Sequence, residues 1–220
     1  SQRAFVEDTI EEVKDLSSTE KKDKIAEQIA YYSGLSKQFV LNSNLRVDAS
    51  SFRKELLRDE GYSVGRLDAR YKGEDYMVAG ENPDTDISNE GFAAAYVSAI
   101  HTWLAEIGVD IKRLYRSGDR DLGKNWDWVS TQNGWPRYVN VAPHIGRAMR
   151  ENIDFKVYVA CGIYDLATPC FTATNTIYEN GIDASRVKFS EFEGGHMMYN
   201  HQPSFDKFLN EVRNFVSKNN

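Results

Sequence analysis

Through the first half of the chain, apolar positions fall three and four residues apart between charged runs, the spacing of amphipathic helices. Phe5, Ile10, Val13 and Leu16 form a weak apolar face. Ser17 and Glu20 have capping-box spacing, which predicts a helix carrying Ile25, Ile29 and Ala30 and stopping at Gly34. Ser36 to Asn42 suits another short helix. Asp48 suits the N-cap of a helix holding Phe52, Leu56 and Leu57, with Gly61 at its C-terminal end. Residues 66–86 are turn-rich. Ser88 or Asn89 then caps a long helix to Ile107, with Phe92, Tyr96, Ile100, Trp103 and Leu104 on one stripe and Gly108 closing it. His101 lies one step off that stripe, as a helix-surface histidine does. Leu114 to Pro136 is irregular and aromatic, and Tyr115, Trp126, Trp128 and Trp135 suit the mouth of a cleft or a packing surface equally.

The pattern changes in the second half. Pro143 opens a helix through Ile145, Ala148 and Met149. Phe155 to Cys161 is a short apolar run bounded by Asp154 and Gly162, which predicts a strand buried on both faces. A helical stretch follows around Phe171 to Tyr178. Arg186 to Phe192 alternates, Val187 and Phe189 against Lys188 and Ser190, and predicts a second strand. Pro203 opens a final helix with Phe205, Phe208, Leu209, Val212, Phe215 and Val216 on one face.

A strand–helix–strand unit of this length favours a parallel pair. Asp165 follows the first strand and His196 follows the second, directly after Gly194-Gly195. Both then lie beyond the carboxyl ends of neighbouring strands, where open α/β sheets place their sites. A buried carboxylate that accepts from one imidazole nitrogen leaves the other nitrogen free to act as a base. The chain order, Asp before His, fits the last two members of an α/β-hydrolase triad. The plainer alternative is that Asp165 caps a turn and His196 fills a loop.

The stretches "GIYDLATP" and "EGGHMMY" resemble the Asp and His motifs of the serine carboxypeptidase family, especially its bacterial branch. The run from Tyr31 to Gly73, ending in "GRLDARYKG", resembles the helical cap region of that family, and "WDW" and "AMRENIDFKVYVACG" follow in the expected order. The resemblance covers nearly the whole chain. It implies an α/β fold, the C-terminal part of an α/β-hydrolase, with a mostly helical cap region over 1–136 and the Asp- and His-bearing portion over 137–220. It also implies serine-dependent removal of C-terminal residues from peptides, with Asp165 and His196 as acid and base and a secreted or periplasmic home. Met197 and Tyr199 are candidates for flanking the substrate.

The nucleophile elbow of that family, Gly-Glu-Ser-Tyr-Gly, does not occur in this sequence. Gly61-Tyr62-Ser63-Val64-Gly65 matches the bare G-x-S-x-G pattern, but a helical stretch precedes it and a charged, turn-rich stretch follows. An elbow needs a strand before the serine and a helix after it, so Ser63 reads as a loop residue outside the site. The expectation is a chain that supplies acid and base, is inactive alone, and takes its serine from elsewhere. With only two strong strands, it should pair with a missing N-terminal hydrolase half or with itself, the third option being a chain that folds alone through its helices.

Composition narrows the field. The net charge of -6 and the absence of a basic stripe argue against a nucleic-acid binder. No apolar run is long enough to span a membrane, and no signal peptide is visible. Cys161 reads as a small buried hydrophobe, with a bridge to Cys170 as the less favoured alternative. The acidic stretch after Gly73 lacks the alternation and terminal Glu of an EF-hand, so it reads as a solvated loop, with metal binding the less favoured alternative; no metal and no cofactor are assigned. The rival readings are a non-catalytic helical module that binds peptide or protein, and a hydrolase acting on esters.

Overall fold

The computed structural model describes residues 17–110, 112, 115–126 and 140–217. The predicted face of Phe5 to Leu16, and Leu114, Trp128, Trp135 and Pro136, lie outside these. The described helices are α1 (Ser18–Ser33), α2 (Lys37–Asn42), α3 (Ala49–Glu55), α4 (Ile87–Glu106), α5 (Arg120–Asn125), α6 (Ala142–Glu151), α7 (Cys170–Glu179) and α8 (Gln202–Ser217). The described strands are β1 (Tyr62–Val64), β2 (Lys72–Glu74), β3 (Val157–Gly162) and β4 (Val187–Phe192). The architecture is mixed α/β, with β1 and β2 forming one two-stranded sheet and β3 and β4 another.

Two compact units are present. The first comprises the described residues up to Asn89, with Cys161–Phe171 and Glu191–Asp206. In it, α1 begins as its sequence predicts: the Ser17 hydroxyl accepts from the Glu20 amide, and the Glu20 carboxylate reaches back to Ser17. Gly34 closes α1 in the left-handed region, at φ 78°. Ala26, Leu35 and Val40 form a small core, with Ile29, Phe39, Val47, Phe52 and Leu56 packed on it.

Helix α3 adds two buried cations. Arg53 is 5% exposed and donates to the carbonyls of Val64 and Thr85, each at 2.9 Å. Lys54 is 1% exposed and meets Asp75 at 2.6 Å and the Met77 carbonyl at 2.5 Å. The acidic stretch thus has structural work. Asp75 pairs with Lys54, Asp84 accepts the Met77 amide at 2.9 Å, and Asp86 accepts from the amide and hydroxyl of Ser88 at the start of α4. Asp86, rather than Ser88 or Asn89, caps that helix, because its carboxylate reaches the first-turn amide of Ser88 from outside.

The second unit comprises the described residues of Glu90–Ala160, with Thr172–Ser190 and those from Lys207. Its core is Ala142, Met149, Ile177 and Ile182, joined by Ile145, Val157, Val187 and Phe189. Arg186, just before β4, holds the turn between α6 and β3 by donating to the carbonyls of Asn152 at 3.2 Å and Ile153 at 3.0 Å. Glu211 of α8 accepts from Tyr158 of β3 at 3.1 Å and from Ser190 of β4, and pairs with Lys188 at 3.3 Å. On the α4 stripe, Phe92, Ile100 and Leu104 are half-buried, while Tyr96 and Trp103 are 45% and 53% exposed.

Four further expectations change. A short helix, α5, stands within the stretch read as irregular, capped by Asp119, whose side chain accepts the Asp121 amide. Strand β3 is fully buried only at Cys161 and Gly162, and Phe155 is 39% exposed, because a two-stranded sheet gives a strand less cover than a sheet layered on both faces. Cys161 is not a free hydrophobe: it is bonded to Cys170, with Cα atoms 5.5 Å apart. The α7 start returns Cys170 to the β3 end, which cysteine spacing alone does not reveal. Ser63 is a strand residue, 1% exposed, in a β1–β2 hairpin where it faces Gly73. Burial in a short antiparallel pair is not the exposed strand-to-helix turn of a nucleophile elbow.

Candidate functional site

Two loops of the first unit make the site. The first follows β3, which ends at Gly162, and holds Asp165; the second follows β4, which ends at Phe192, and holds His196. Beyond the strands, Ile163 N–H donates to the Phe192 carbonyl at 3.0 Å and Tyr164 N–H to the Gly194 carbonyl at 2.9 Å. These bonds advance along both loops together, as they do when strands run the same way.

The loops approach so closely that side chains are excluded. A Cβ built on Gly162 would lie 2.0 Å from the Gly195 carbonyl oxygen, and one on Gly195 would lie 2.1 Å from the Leu67 carbonyl oxygen. Only glycine fits either position, which gives the glycine directly before His196 its physical reason. The Cys161–Cys170 bridge closes the base of the Asp165 loop.

Asp165 and His196 meet. Nδ1 of His196 lies 2.9 Å from Oδ2 of Asp165. The Asp165 side chain is 4% exposed and that of His196 is 43% exposed. Oδ1 of Asp165 accepts the amides of Ala167 at 2.7 Å and Thr168 at 3.0 Å, while Oδ2 also accepts the Thr168 hydroxyl at 2.7 Å. Burial pushes the Asp165 carboxyl up, but the hydroxyl and amide of Thr168, then His196 and the Ala167 amide, reverse this and hold it below the usual carboxylate value. An ionised carboxylate only accepts, so the hydrogen-bond network assigns the imidazole proton to Nδ1. In the neutral ring this tautomer leaves Nε2 without a proton, on a ring that solvent reaches, where it can take one from an incoming group.

Thr168 is the site residue that sequence reasoning passed over. Its hydroxyl sits 3.1 Å from His196 Nδ1 as well as on Asp165. An Asp followed three residues later by a Thr has the spacing of a self-capped turn, and that spacing was the available signal. Met197 and Tyr199 lie just after His196, half-buried and 46% exposed respectively, while Met198 between them is buried. His101 lies on α4 and His144 on α6, in the other unit. Among the described residues, no group of three or more His, Cys, Asp or Glu side chains is placed to hold a metal ion, and no helix is long and apolar enough to cross a membrane.

Thr168→Val keeps the shape and removes the hydroxyl. A hydrogen bond to a charged group contributes roughly 1.5–3 kcal/mol, so Asp165 should titrate at higher pH in the variant. Because the folded-state value is depressed, the stabilisation is present above the unfolded carboxylate value of about 4 and is lost as pH falls through the folded one. In the variant that loss should begin at higher pH. A carbon-13 titration of the Asp165 carboxyl checks this, and an unchanged midpoint would refute it.

No protein-family model, no curated protein and no solved structure matches the chain.

Proposed function

We propose that this chain carries the acid and base of a serine-type hydrolase of the α/β-hydrolase fold, acting on peptides from their C-terminal end. The observation that carries the reading is the 2.9 Å bond between the buried, ionised Asp165 and Nδ1 of the solvent-accessible His196. His196 Nε2 takes the proton of a serine supplied from outside these 220 residues as its oxygen attacks the scissile carbonyl. The protonated ring then gives that proton to the leaving amine. Water, deprotonated by the same nitrogen, hydrolyses the acyl-enzyme and releases the serine. The oxyanion donors come with the serine, one of them being the amide next to it.

The substrate class follows from the likeness of "GIYDLATP", "EGGHMMY" and "GRLDARYKG" to the serine carboxypeptidases. A secreted or periplasmic home follows from the same likeness, and the Cys161–Cys170 bridge is chemistry that oxidising compartments sustain. The exposed apolar residues Tyr96, Trp103, Ile107 and Val109 support a partner, either the serine-bearing polypeptide or a second copy.

Fluorophosphonate labelling tests the proposal, on this chain alone and on the chain together with the serine-bearing polypeptide. Labelling of the second form only, at the serine, supports it. Labelling of the short chain at Ser63 overturns the assignment of the nucleophile. If neither form reacts, the hydrolase reading fails and a peptide-binding module takes its place.

A further inference from the structure

Residues 65–71 take no part in the proposed chemistry, yet they bond to both loops of the couple. The Arg66 carbonyl accepts from Leu166 N–H at 3.1 Å, and Ala69 N–H donates to the Tyr164 carbonyl at 3.0 Å. These bonds hold the residues on either side of Asp165. The Leu67 carbonyl accepts from the His196 amide at 2.6 Å. One short segment therefore sets the places of both loops.

The shape of that segment depends on Asp68, which is 8% exposed. Its Oδ1 accepts the Arg70 amide at 3.0 Å, and its carboxylate grips the Arg70 guanidinium through Nε at 3.0 Å and Nη2 at 2.7 Å. Arg70 in turn lies over the Tyr164 ring, 4.7 Å from its centroid. Tyr71 N–H bonds to the Asp68 carbonyl at 3.1 Å, and Gly65 N–H to the Tyr71 carbonyl at 2.9 Å, which closes the loop. Gly195 packs against Asp68 itself, since a Cβ there would lie 2.5 Å from the Asp68 Cβ.

We propose that Asp68 is a positioning residue that sets the separation of Asp165 and His196. It acts through the turn it caps and the guanidinium it holds, which together fix the carbonyls of Arg66 and Leu67 and the amide of Ala69. A charged pair with two-point geometry fixes orientation as well as distance, so the two loops cannot drift apart independently. Only the kinetic arm of the test below rests on the hydrolase reading.

The experiment uses the nitrogen-15-labelled chain and follows exchange of the His196 Nδ1 proton with water. Asp68→Asn keeps an oxygen for the turn and loses the charge, whereas Asp68→Ala loses both. Exchange should quicken about tenfold in Asp68→Ala and less in Asp68→Asn, with the Met149 methyl signal of the other unit unmoved. A folded Asp68→Ala protein with the parent rate overturns the proposal. If Asp68→Ala does not fold, Asp68→Asn and Arg70→Gln decide it by the same criterion. In the serine-containing enzyme, kcat should fall with KM unchanged. An inactive parent would refute the hydrolase reading while leaving the exchange result to judge Asp68.

Discussion

Asp165→Asn in the proposed serine-containing hydrolase is expected to lower kcat by about ten-thousandfold, with little change in KM. The substitution is nearly isosteric. The amide oxygen can still accept from Ala167 and Thr168, which hold Oδ1 at 2.7 and 3.0 Å, so the loop should survive. What changes is the group opposite His196. An amide nitrogen in the Oδ2 position donates, so Nδ1 must accept and the ring proton moves to Nε2. The nitrogen meant to act as base is then already protonated. The imidazolium formed during attack also loses its counter-charge. His196→Ala should be at least as damaging, because no base remains. Steady-state kinetics with matched unfolding curves would check both, and an Asp165→Asn enzyme within tenfold of the parent would sink the acid–base assignment.

Lys54→Met should be the most destabilising single change in the first unit, by roughly 3–5 kcal/mol at neutral pH. The lysine and aspartate side chains are 1% and 2% exposed, and Nζ lies 2.6 Å from Asp75. Methionine replaces the stem but leaves Asp75 as a buried, uncompensated charge. In the parent, burial pushes the Asp75 carboxyl up, and the bonds from Lys54 and Asp84 and the charge of Lys54 outweigh it and hold it low. Parent stability from this pair is therefore present at neutral pH and lost as pH falls through the folded value. In the variant, burial acts with no cation against it and the value rises, so protonation stabilises the fold as pH falls. The gap between parent and variant should narrow between pH 7 and about pH 4.5. Urea unfolding at both values measures it. Lys54→Met with Asp75→Leu should recover much of the loss, because an apolar pair carries no desolvation cost. A gap that is constant with pH would mean that Asp75 is not the cause.

The local elements were legible because local patterns cause them. Ser17 with Glu20, Ser36 and Asp48 cap the helices they announce, and Gly34, Gly61 and Gly108 adopt the left-handed φ of 78° that ends helical turns. The strand–helix–strand order put Asp165 and His196 beyond neighbouring strand ends, and the structure brings the two together. Less legible was anything that depends on residues distant in sequence. The apolar pattern of the Asp48-capped helix singles out Phe52, Leu56 and Leu57, yet Arg53 and Lys54 are the most buried residues of α3, since their partners Val64, Asp75, Met77 and Thr85 arrive from the following hairpin and loop.

By itself, then, the sequence determined most of the helices, the two main strands and the order of Asp165 and His196, because capping, periodicity and crossover length act over a few residues. Only the tertiary structure decided that Cys161 and Cys170 are joined, that Ser63 is buried in a hairpin, and that Thr168 shares the Asp165 carboxylate. It also decided that "GRLDARYKG" bridges the two loops of the site. Each of these is a contact made through space, and its energy depends on distance and burial that no local pattern encodes.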